Sequence, residues 1–285
     1  MNRALMLFVL STTAVPASEL SADEIMDRVA ANQDKSLAER KNWTYRQTVL
    51  TRLNRTNGKL AREEDKEYVV VPTPKGFEKE LVRFSGKYEH KGKHVEYDEP
   101  GYEYKEMDID AELSDELADE LMSDKSGRDG LSPGLFPLTS KEQKKYDFKL
   151  RGRERYRDHE VYRIEFTPKS EGDDAFWAGE ALIDTAEFQP VLITSFQAKP
   201  LPIAVKMLLG TNVKHLGFKV QYKKVADGVW FPASCGGEFS LRALFFYGRK
   251  ISIAMNNSGF QKTDVQSRVV GYEPIAAQTG SGPDR

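Results

Sequence analysis

The strongest constraint on the fold is a side-chain alternation of period two that returns along most of the chain. It is clearest at 218–223, where Phe218, Val220 and Tyr222 alternate with lysine and glutamine. Such alternation puts apolar side chains on one face of a β-strand and polar side chains on the other. The pattern therefore predicts an antiparallel sheet with one buried face.

The segment 176–196 is predicted to be a central hairpin of this sheet. Two β-rich runs flank the polar residues 184–187, which is typical of antiparallel strands joined by a short loop. Gly179 and the neighbouring alanines leave room beside Trp177. The hairpin is therefore predicted to lie where the sheet bends or where it faces a filled cavity.

Further strands follow from the same alternation, with tight turns at Asn57-Gly58 and Asp227-Gly228. They are predicted at 43–53, 66–71, 77–85, 146–153, 160–168, 213–224, 229–233, 238–246 and 250–255. No βαβ alternation is present, so the fold class is mainly β with helices (α+β). We expect one strongly curved antiparallel sheet with helices on its concave face.

Two helices are predicted. Residues 21–24, Ser-Ala-Asp-Glu, form a capping box, and the apolar spacing after them continues to about Lys35. Apolar residues at four-residue spacing among acidic ones predict an amphipathic helix over 107–124. This helix belongs to an insertion near 107–140 whose Gly/Pro-rich part follows it.

The first 17 residues have the pattern of a secretory signal peptide. Arg3 is positive, residues 4–10 are apolar, and small residues precede position 18. The apolar run is too short to cross a bilayer, so we expect an exported, soluble mature chain with no transmembrane span. Residues 18–270 are predicted to form a single domain, and 271–285 a flexible tail.

Charge and cysteine content exclude several functions. The 42 basic and 44 acidic residues nearly cancel, which gives no electrostatic reason to expect nucleic acid as a partner. Cys235 is the single cysteine, so an intrachain disulfide and a cysteine-based metal cluster are excluded. Beside Gly236 and Gly237 it is interpreted as a small residue near a β-bulge. His90 and His94 are interpreted as solvated edge residues, and no metal site is predicted.

Two patterns leave alternatives open. Residues 130–134 match the G-x-S-x-G pattern around a nucleophilic serine, Ser132, but the strand before it and the helix after it are missing. A secreted serine hydrolase is therefore the least favoured hypothesis. Basic residues alternate along 149–157, which indicates either a docking patch for an acidic partner or an edge strand protected by charge. The carboxylates are interpreted as lying on helix faces and strand exteriors.

Three segments carry a family resemblance: GEALIDTAEFQPV (179–191), VKMLLGTNVKHLGFKVQYKK (205–224) and DGVWFP (227–232). Over residues 21–260 the chain resembles the LolA/LolB-like family of periplasmic lipoprotein carriers, closest to the outer-membrane lipoprotein-sorting branch. The resemblance implies a half-open β-barrel closed by helices, with an apolar interior that holds acyl chains, no cofactor and no chemistry. The insertion at 107–140 and the missing N-terminal lipid-attachment cysteine depart from that pattern.

The leading hypothesis is a periplasmic, non-enzymatic carrier that shields a lipid or lipoprotein acyl chain for transfer toward the outer membrane. Its partners would be acyl chains and membrane transport proteins. The alternative is an envelope binding or sensor module that recognises a protein partner on the same scaffold. The candidate cavity residues are Phe218, Val220, Tyr222, Phe231, Phe239, Leu241 and Phe245, with Leu201, Met207 and Leu208 as a lid.

Overall fold

The computed structural model describes residues 20–73, 76–106, 108–114, 137–169, 177–197, 212–214, 216–243 and 247–263. Its helices are α1 (Ala22–Arg40), α2 (109–114 of the described residues) and α3 (Ser140–Gln143). Its strands are β1 (Trp43–Arg55), β2 (Leu60–Thr73), β3 (Gly76–His90), β4 (Lys93–Tyr97), β5 (Tyr146–Tyr156), β6 (His159–Pro168), β7 (Trp177–Asp184), β8 (Pro190–Gln197), β9 (Asn212–Lys214), β10 (Gly217–Ala226), β11 (Val229–Ala243) and β12 (Tyr247–Lys262).

These strands form one antiparallel sheet in the order β4-β3-β2-β1-β12-β11-β10-β8-β7-β6-β5, with β9 paired to β11. The sheet is curved and its two ends, β4 and β5, do not pair with each other, which is the arrangement of a half-open β-barrel. The predicted fold class is therefore confirmed. Because β1 pairs with β12 from Trp43 to Arg55, the first and last described strands lie side by side in the middle of the sheet.

Helix α1 begins at the predicted capping box. The Ser21 hydroxyl accepts a hydrogen bond from the Glu24 amide at 3.2 Å, and the Glu24 carboxylate accepts one from the Ser21 amide at 2.8 Å. The helix continues to Arg40, five residues past its predicted end at Lys35. Ser36 and Arg40 are both buried, so tertiary contacts extend the helix beyond its amphipathic pattern.

The face of the sheet that contacts α1 is called the inner face here. Its main apolar cluster joins Ile25, Met26 and Val29 of α1 to inward side chains of eight strands, β1, β5–β8 and β10–β12. A second cluster surrounds Trp43 and Phe231, and a third contains Trp230. The inner face thus carries a continuous apolar surface beneath a single long described helix.

Strand β11 is one continuous strand where the sequence predicted two, at 229–233 and 238–246. It runs unbroken through Cys235-Gly236-Gly237, which pair with β10 on one side and β12 on the other. The register shift lies at Ala233, since Gln221 pairs with Ser234 and Tyr222 with Pro232. The interpretation of Cys235 as a small residue near a β-bulge is therefore confirmed, with the bulge two residues before it and the glycines themselves held in the ladder by pairing on both sides.

The open space that was predicted beside Gly179 is also absent, because neighbouring atoms fill it. A Cβ atom built on Gly179 would lie 2.0 Å from the Thr194 carbonyl oxygen and 2.9 Å from the Phe166 ring. The neighbouring strand fills the volume that a side chain would need. Gly179 therefore permits a close approach of β7 and β8 and leaves no empty pocket.

The basic run at 149–157 lies on β5, an edge strand of the described sheet, and on the first residue of the turn after it. Arg151 forms an ion pair with Glu165. Arg153 lies over the Tyr162 ring, with 4.7 Å between its Cζ and the ring centroid. These contacts fit the interpretation as an edge strand protected by charge.

Several predictions fall outside the described residues and stay predictions. These are the signal peptide 1–17, the tail 271–285, the end of the insertion helix, Ser132, Leu201, Met207, Leu208 and Phe245. The single-domain boundary at 18–270 is likewise a prediction.

Candidate ligand-binding face

The predicted cavity residues that the structure describes lie on or beside the inner face. Phe218, Val220, Phe239 and Leu241 belong to the main apolar cluster, and Phe231 belongs to the second. These five are at most 4% exposed, and Tyr222 is half-buried against the main cluster. The structure therefore packs them as core under α1, and their contact with a ligand stays a prediction.

A buried polar network attaches α1 to the sheet. The Gln33 side-chain amide donates to Gln189 Oε1 at 2.5 Å, and Gln189 donates to the Ser36 hydroxyl at 3.1 Å. Arg40 Nε donates to the Trp230 carbonyl at 2.5 Å, and its guanidinium lies 5.4 Å from the centre of the Phe231 ring. Because these bonds are directional, they set the position of α1 over the apolar cluster.

The inner face changes character at strands β2–β4, where charged side chains are buried. Arg62, with no exposed surface, donates to Glu64 at 3.1 Å, to the Tyr97 hydroxyl at 2.8 Å and to Asp108 at 2.8 Å. The Tyr97 hydroxyl donates to Glu64 at 2.6 Å, and Lys66 lies 3.2 Å from the same carboxylate. Burial, together with the Glu64 charge, raises the pKa of Tyr97.

Tyrosine rings surround this buried cluster. Tyr88 stacks on Tyr104 with 4.6 Å between ring centroids, and Tyr97 stacks on Tyr102 at 5.1 Å. The Arg62 guanidinium lies 4.9 Å from the centre of the Tyr97 ring. Hydrogen bonds and ring contacts together offset part of the cost of burying the Arg62 charge.

A second, partly buried ion pair holds the start of the insertion. Asp110 accepts hydrogen bonds from Arg249 at 2.7 Å and from the Tyr247 hydroxyl at 2.6 Å. Burial and the adjacent Asp110 carboxylate raise the pKa of Tyr247. Since Asp108 contacts β2 and Asp110 contacts β12, the described part of the insertion is tied to the inner face at two points.

Sequence reasoning missed this polar region. It placed the carboxylates on exteriors, and the structure shows that this is wrong for Glu64 and Asp108, which are 1% and 2% exposed. The alternation of Arg62, Glu64 and Lys66 marks a polar strand face, and such a face is ordinarily solvated. Here the segment that carries Asp108 and the tyrosine rings of β3 and β4 cover it.

A groove of about 850 Å³ lies on the opposite face of the sheet and is called the outer groove here. Strands β1, β8, β10, β11 and β12 line it, with exposed Arg52, Thr194 and Lys219 and the small residues Gly236 and Ala254. Its lining is more polar than the inner face, because these residues alternate with the core side chains. It is the competing location for a ligand.

The described residues contain no cluster of three or more histidine, cysteine, aspartate or glutamate side chains placed to hold a metal ion. His90 and His94 are exposed, at the end of β3 and on β4. Among the same residues, no helix has both the length and the apolar character needed to cross a bilayer.

Cys235 lies in the main apolar cluster, where burial raises the pKa of its thiol to about 12. From about pH 9 upward the unfolded chain loses this proton while the folded chain keeps it. We therefore expect the stability of the wild type, relative to Cys235→Ala, to fall by about 1.4 kcal/mol per pH unit between about pH 9 and pH 11. Denaturant unfolding of both proteins under reducing conditions measures this difference, and a difference independent of pH would contradict it.

Comparison with known proteins yields one family match and several distant structural likenesses. A family of unknown function, DUF5686, matches residues 130–257. No curated protein matches the chain.

Among solved structures, a DUF1329 family protein from Desulfovibrio piger is 14% identical with a TM-score of 0.36, covering 86% of this chain and 94% of that one. The MucA/MucB complex of Pseudomonas aeruginosa is 11% identical with a TM-score of 0.24, covering 84% and 99%. A structure of the lipid–protein interactions in lipovitellin is 8% identical with a TM-score of 0.34, covering 80% of this chain and 26% of that one. At these TM-scores the likenesses assign no function.

Proposed function

We propose that this protein is a non-enzymatic, periplasmic carrier that binds the acyl chain of a lipid or lipoprotein on the inner face. The observation that carries the proposal is the continuous apolar cluster across eight strands of an unclosed sheet, covered by α1. Each methylene that an acyl chain buries there contributes about 0.8 kcal/mol, so one long chain can supply useful affinity. The resemblance to LolA/LolB-like carriers supports the same function.

Binding would require α1 to move, because the candidate cavity residues are buried beneath it. The contacts between α1 and the sheet include polar bonds through Gln33, Ser36 and Arg40 near its C-terminal end and apolar contacts through Ile25, Met26 and Val29 near its start. An acyl chain can replace apolar contacts but cannot replace these hydrogen bonds. In this mechanism the start of α1 lifts from the sheet together with α3, whose Gln143 side chain donates to the Met26 carbonyl at 2.8 Å, while the C-terminal end of α1 stays attached.

Ala181→Phe tests the site. Ala181 is 2% exposed on the inner face, between Ile164 of β6 and Ile193 of β8. A phenyl ring there occupies volume that the acyl chain would use, and we expect the affinity for a fluorescent fatty acid to fall about tenfold or more. Thermal unfolding of the variant must accompany the titration, since overpacking costs about 1–3 kcal/mol.

Thr194→Phe is the matched control. Thr194 is exposed, on the strand beside Ala181 but on the opposite face, and it lines the outer groove. We expect this variant to bind the fatty acid like the wild type. Loss of binding in Thr194→Phe with retained binding in Ala181→Phe would instead assign the ligand to the outer groove.

Mass spectrometry of organic extracts from the purified protein tests the carrier function without an added probe. The expected result is a co-purified lipid with at least one long acyl chain. If no lipid is recovered and no fluorescent fatty acid binds, the carrier function is wrong, and a binding module for a protein partner becomes the better hypothesis.

A further inference from the structure

Among the strands that the structure describes, none pairs with one edge of β3 over about half of its length, and this stretch is called the free edge here. One side of β3 pairs with β2 from Gly76 to Tyr88, whereas on its other side β4 covers only Gly86–His90. Every residue from 78 to 83 is exposed. The backbone N–H and C=O groups along this edge are therefore open to pairing with another strand.

The free edge carries an apolar centre flanked by opposite charges. Leu81 is 38% exposed and Val82 is 46% exposed, and Glu80 and Arg83 lie on either side of them. Arg83 contacts Glu67 and Asp65 on its own chain, at 3.2 Å each. Glu80 makes no ion pair with any described residue.

A β-bulge at Val82 determines which residues of β3 share a face. Leu81 pairs with Tyr68 and Arg83 with the preceding residue of β2, so Val82 is the extra residue. Odd-numbered residues face inward before the bulge, and even-numbered residues face inward after it. An antiparallel partner that crosses the bulge must match these faces.

We propose that the free edge of β3 pairs with the same edge of a second copy of this chain, antiparallel and around a two-fold axis. In the register that we infer, Glu80 lies opposite the partner's Arg83, and Leu81 lies opposite the partner's Val82. Further out, Lys79 faces Phe84 and Glu78 faces Ser85. Each of these flanking pairs joins two residues of the same face, and the two bulges lie opposite each other at the axis.

Charge selects this register over its neighbours. In registers that use only the residues before the bulge, either Glu80 lies opposite the partner's Glu80 or Lys79 lies opposite the partner's Lys79. Like charges directly opposite each other are destabilising. The inferred register instead makes two Glu80–Arg83 pairs and joins the four exposed apolar side chains at the axis. The resulting dimer continues one sheet through both copies and adds no contact to the inner face or the outer groove, so it is independent of the proposed carrier function.

Analytical ultracentrifugation of the wild type and two variants tests the dimer. Val82→Lys places two lysines at the axis, and we expect its dimer dissociation constant to rise about tenfold or more. Val95→Lys changes another exposed valine, which lies on β4 outside the pairing, and should leave the dimer intact. A wild type that stays monomeric from micromolar to millimolar concentration overturns the proposal, as does a Val82→Lys variant that dimerises like the wild type.

Disulfide trapping tests the register. In Glu78→Cys/Ser85→Cys the two new cysteines are about 23 Å apart within one strand, so they can bond only across the axis. We expect oxidation to produce a covalent dimer. The control Glu80→Cys/Ser85→Cys belongs to a register shifted by two residues and should stay monomeric on a denaturing gel. A covalent dimer from the control alone overturns the inferred register, and the buried native Cys235 does not compete.

Discussion

Arg62→Leu should lower the free energy of unfolding by about 3–5 kcal/mol, the cost of leaving buried charges without their partner. Arg62 has no exposed surface, and its guanidinium contacts both Glu64 and Asp108. In the variant, Glu64 and Asp108 both lose the Arg62 cation, and Lys66 still contacts Glu64. Denaturant-induced unfolding of the wild type and the variant measures the loss.

Arg52→Leu provides the control for this prediction. Arg52 donates to Glu63 at 2.5 Å, but its side chain is 44% exposed, and an exposed pair contributes about 0.2–1 kcal/mol. A double variant that replaces Arg62 and Asp108 with leucine should recover part of the stability, because it removes one buried cation together with one of its carboxylates and keeps the Glu64–Lys66 pair. Equal losses for Arg62→Leu and Arg52→Leu would show that the buried cluster is not a structural support.

Gly179→Ala should destabilise the fold by about 3 kcal/mol or more, at the upper end of the cost of inserting a methyl group into a packed interior. The new Cβ would lie 2.0 Å from the Thr194 carbonyl oxygen, which is a backbone atom. A flexible side chain could rotate away, but this oxygen can move only if β8 shifts relative to β7. Thermal and denaturant unfolding of the variant measure the effect.

Gly236→Ala is the matched substitution. A Cβ on Gly236 would lie 3.5 Å from the Ile253 carbonyl oxygen, an ordinary contact distance. The substitution also removes conformational freedom from the unfolded chain, so we expect a change within about 1 kcal/mol in either direction. If both alanine variants were equally stable, the close approach of β7 and β8 would not be a constraint on the fold.

The losses of stability expected for Arg62→Leu and Gly179→Ala concern different parts of the inner face. Gly179 lies in the apolar part of the inner face, where β7 and β8 approach closely. Arg62 lies in the polar part, where Asp108 ties the insertion to β2. A ligand on the inner face would therefore lie between two regions that cannot easily deform, and α1 is the element left to move.

Local chemistry was sufficient to predict several elements. The capping box located the start of α1, and the alternation at Phe218, Val220 and Tyr222 located a strand and its buried face. Asp227-Gly228 located a two-residue turn, where Gly228 has a φ of 70°. Each of these signals acts between residues close in the chain, so the sequence alone carries it.

The element boundaries required the neighbouring strands. The predicted strand at 66–71 begins at Leu60 in the structure, and β12 continues to Lys262, because pairing with β1 extends both strands. Period-two alternation weakens where both faces are covered, as in β7, or where both are solvated, as along 78–83 of β3. Backbone hydrogen bonds hold such segments in the sheet without any side-chain pattern.

The sequence determined the alternation, the helix cap and the turns, and through them an antiparallel fold with an apolar inner face. The tertiary structure decided what covers that face: α1 over the apolar part, and the segment of Asp108 and Asp110 over the charged part. It also decided that Arg62 and Glu64 are buried and that Gly179 faces a backbone oxygen. Alternation indicates which side chains share a face of the sheet. The elements that cover that face come from residues distant in the chain, so no local pattern predicts them.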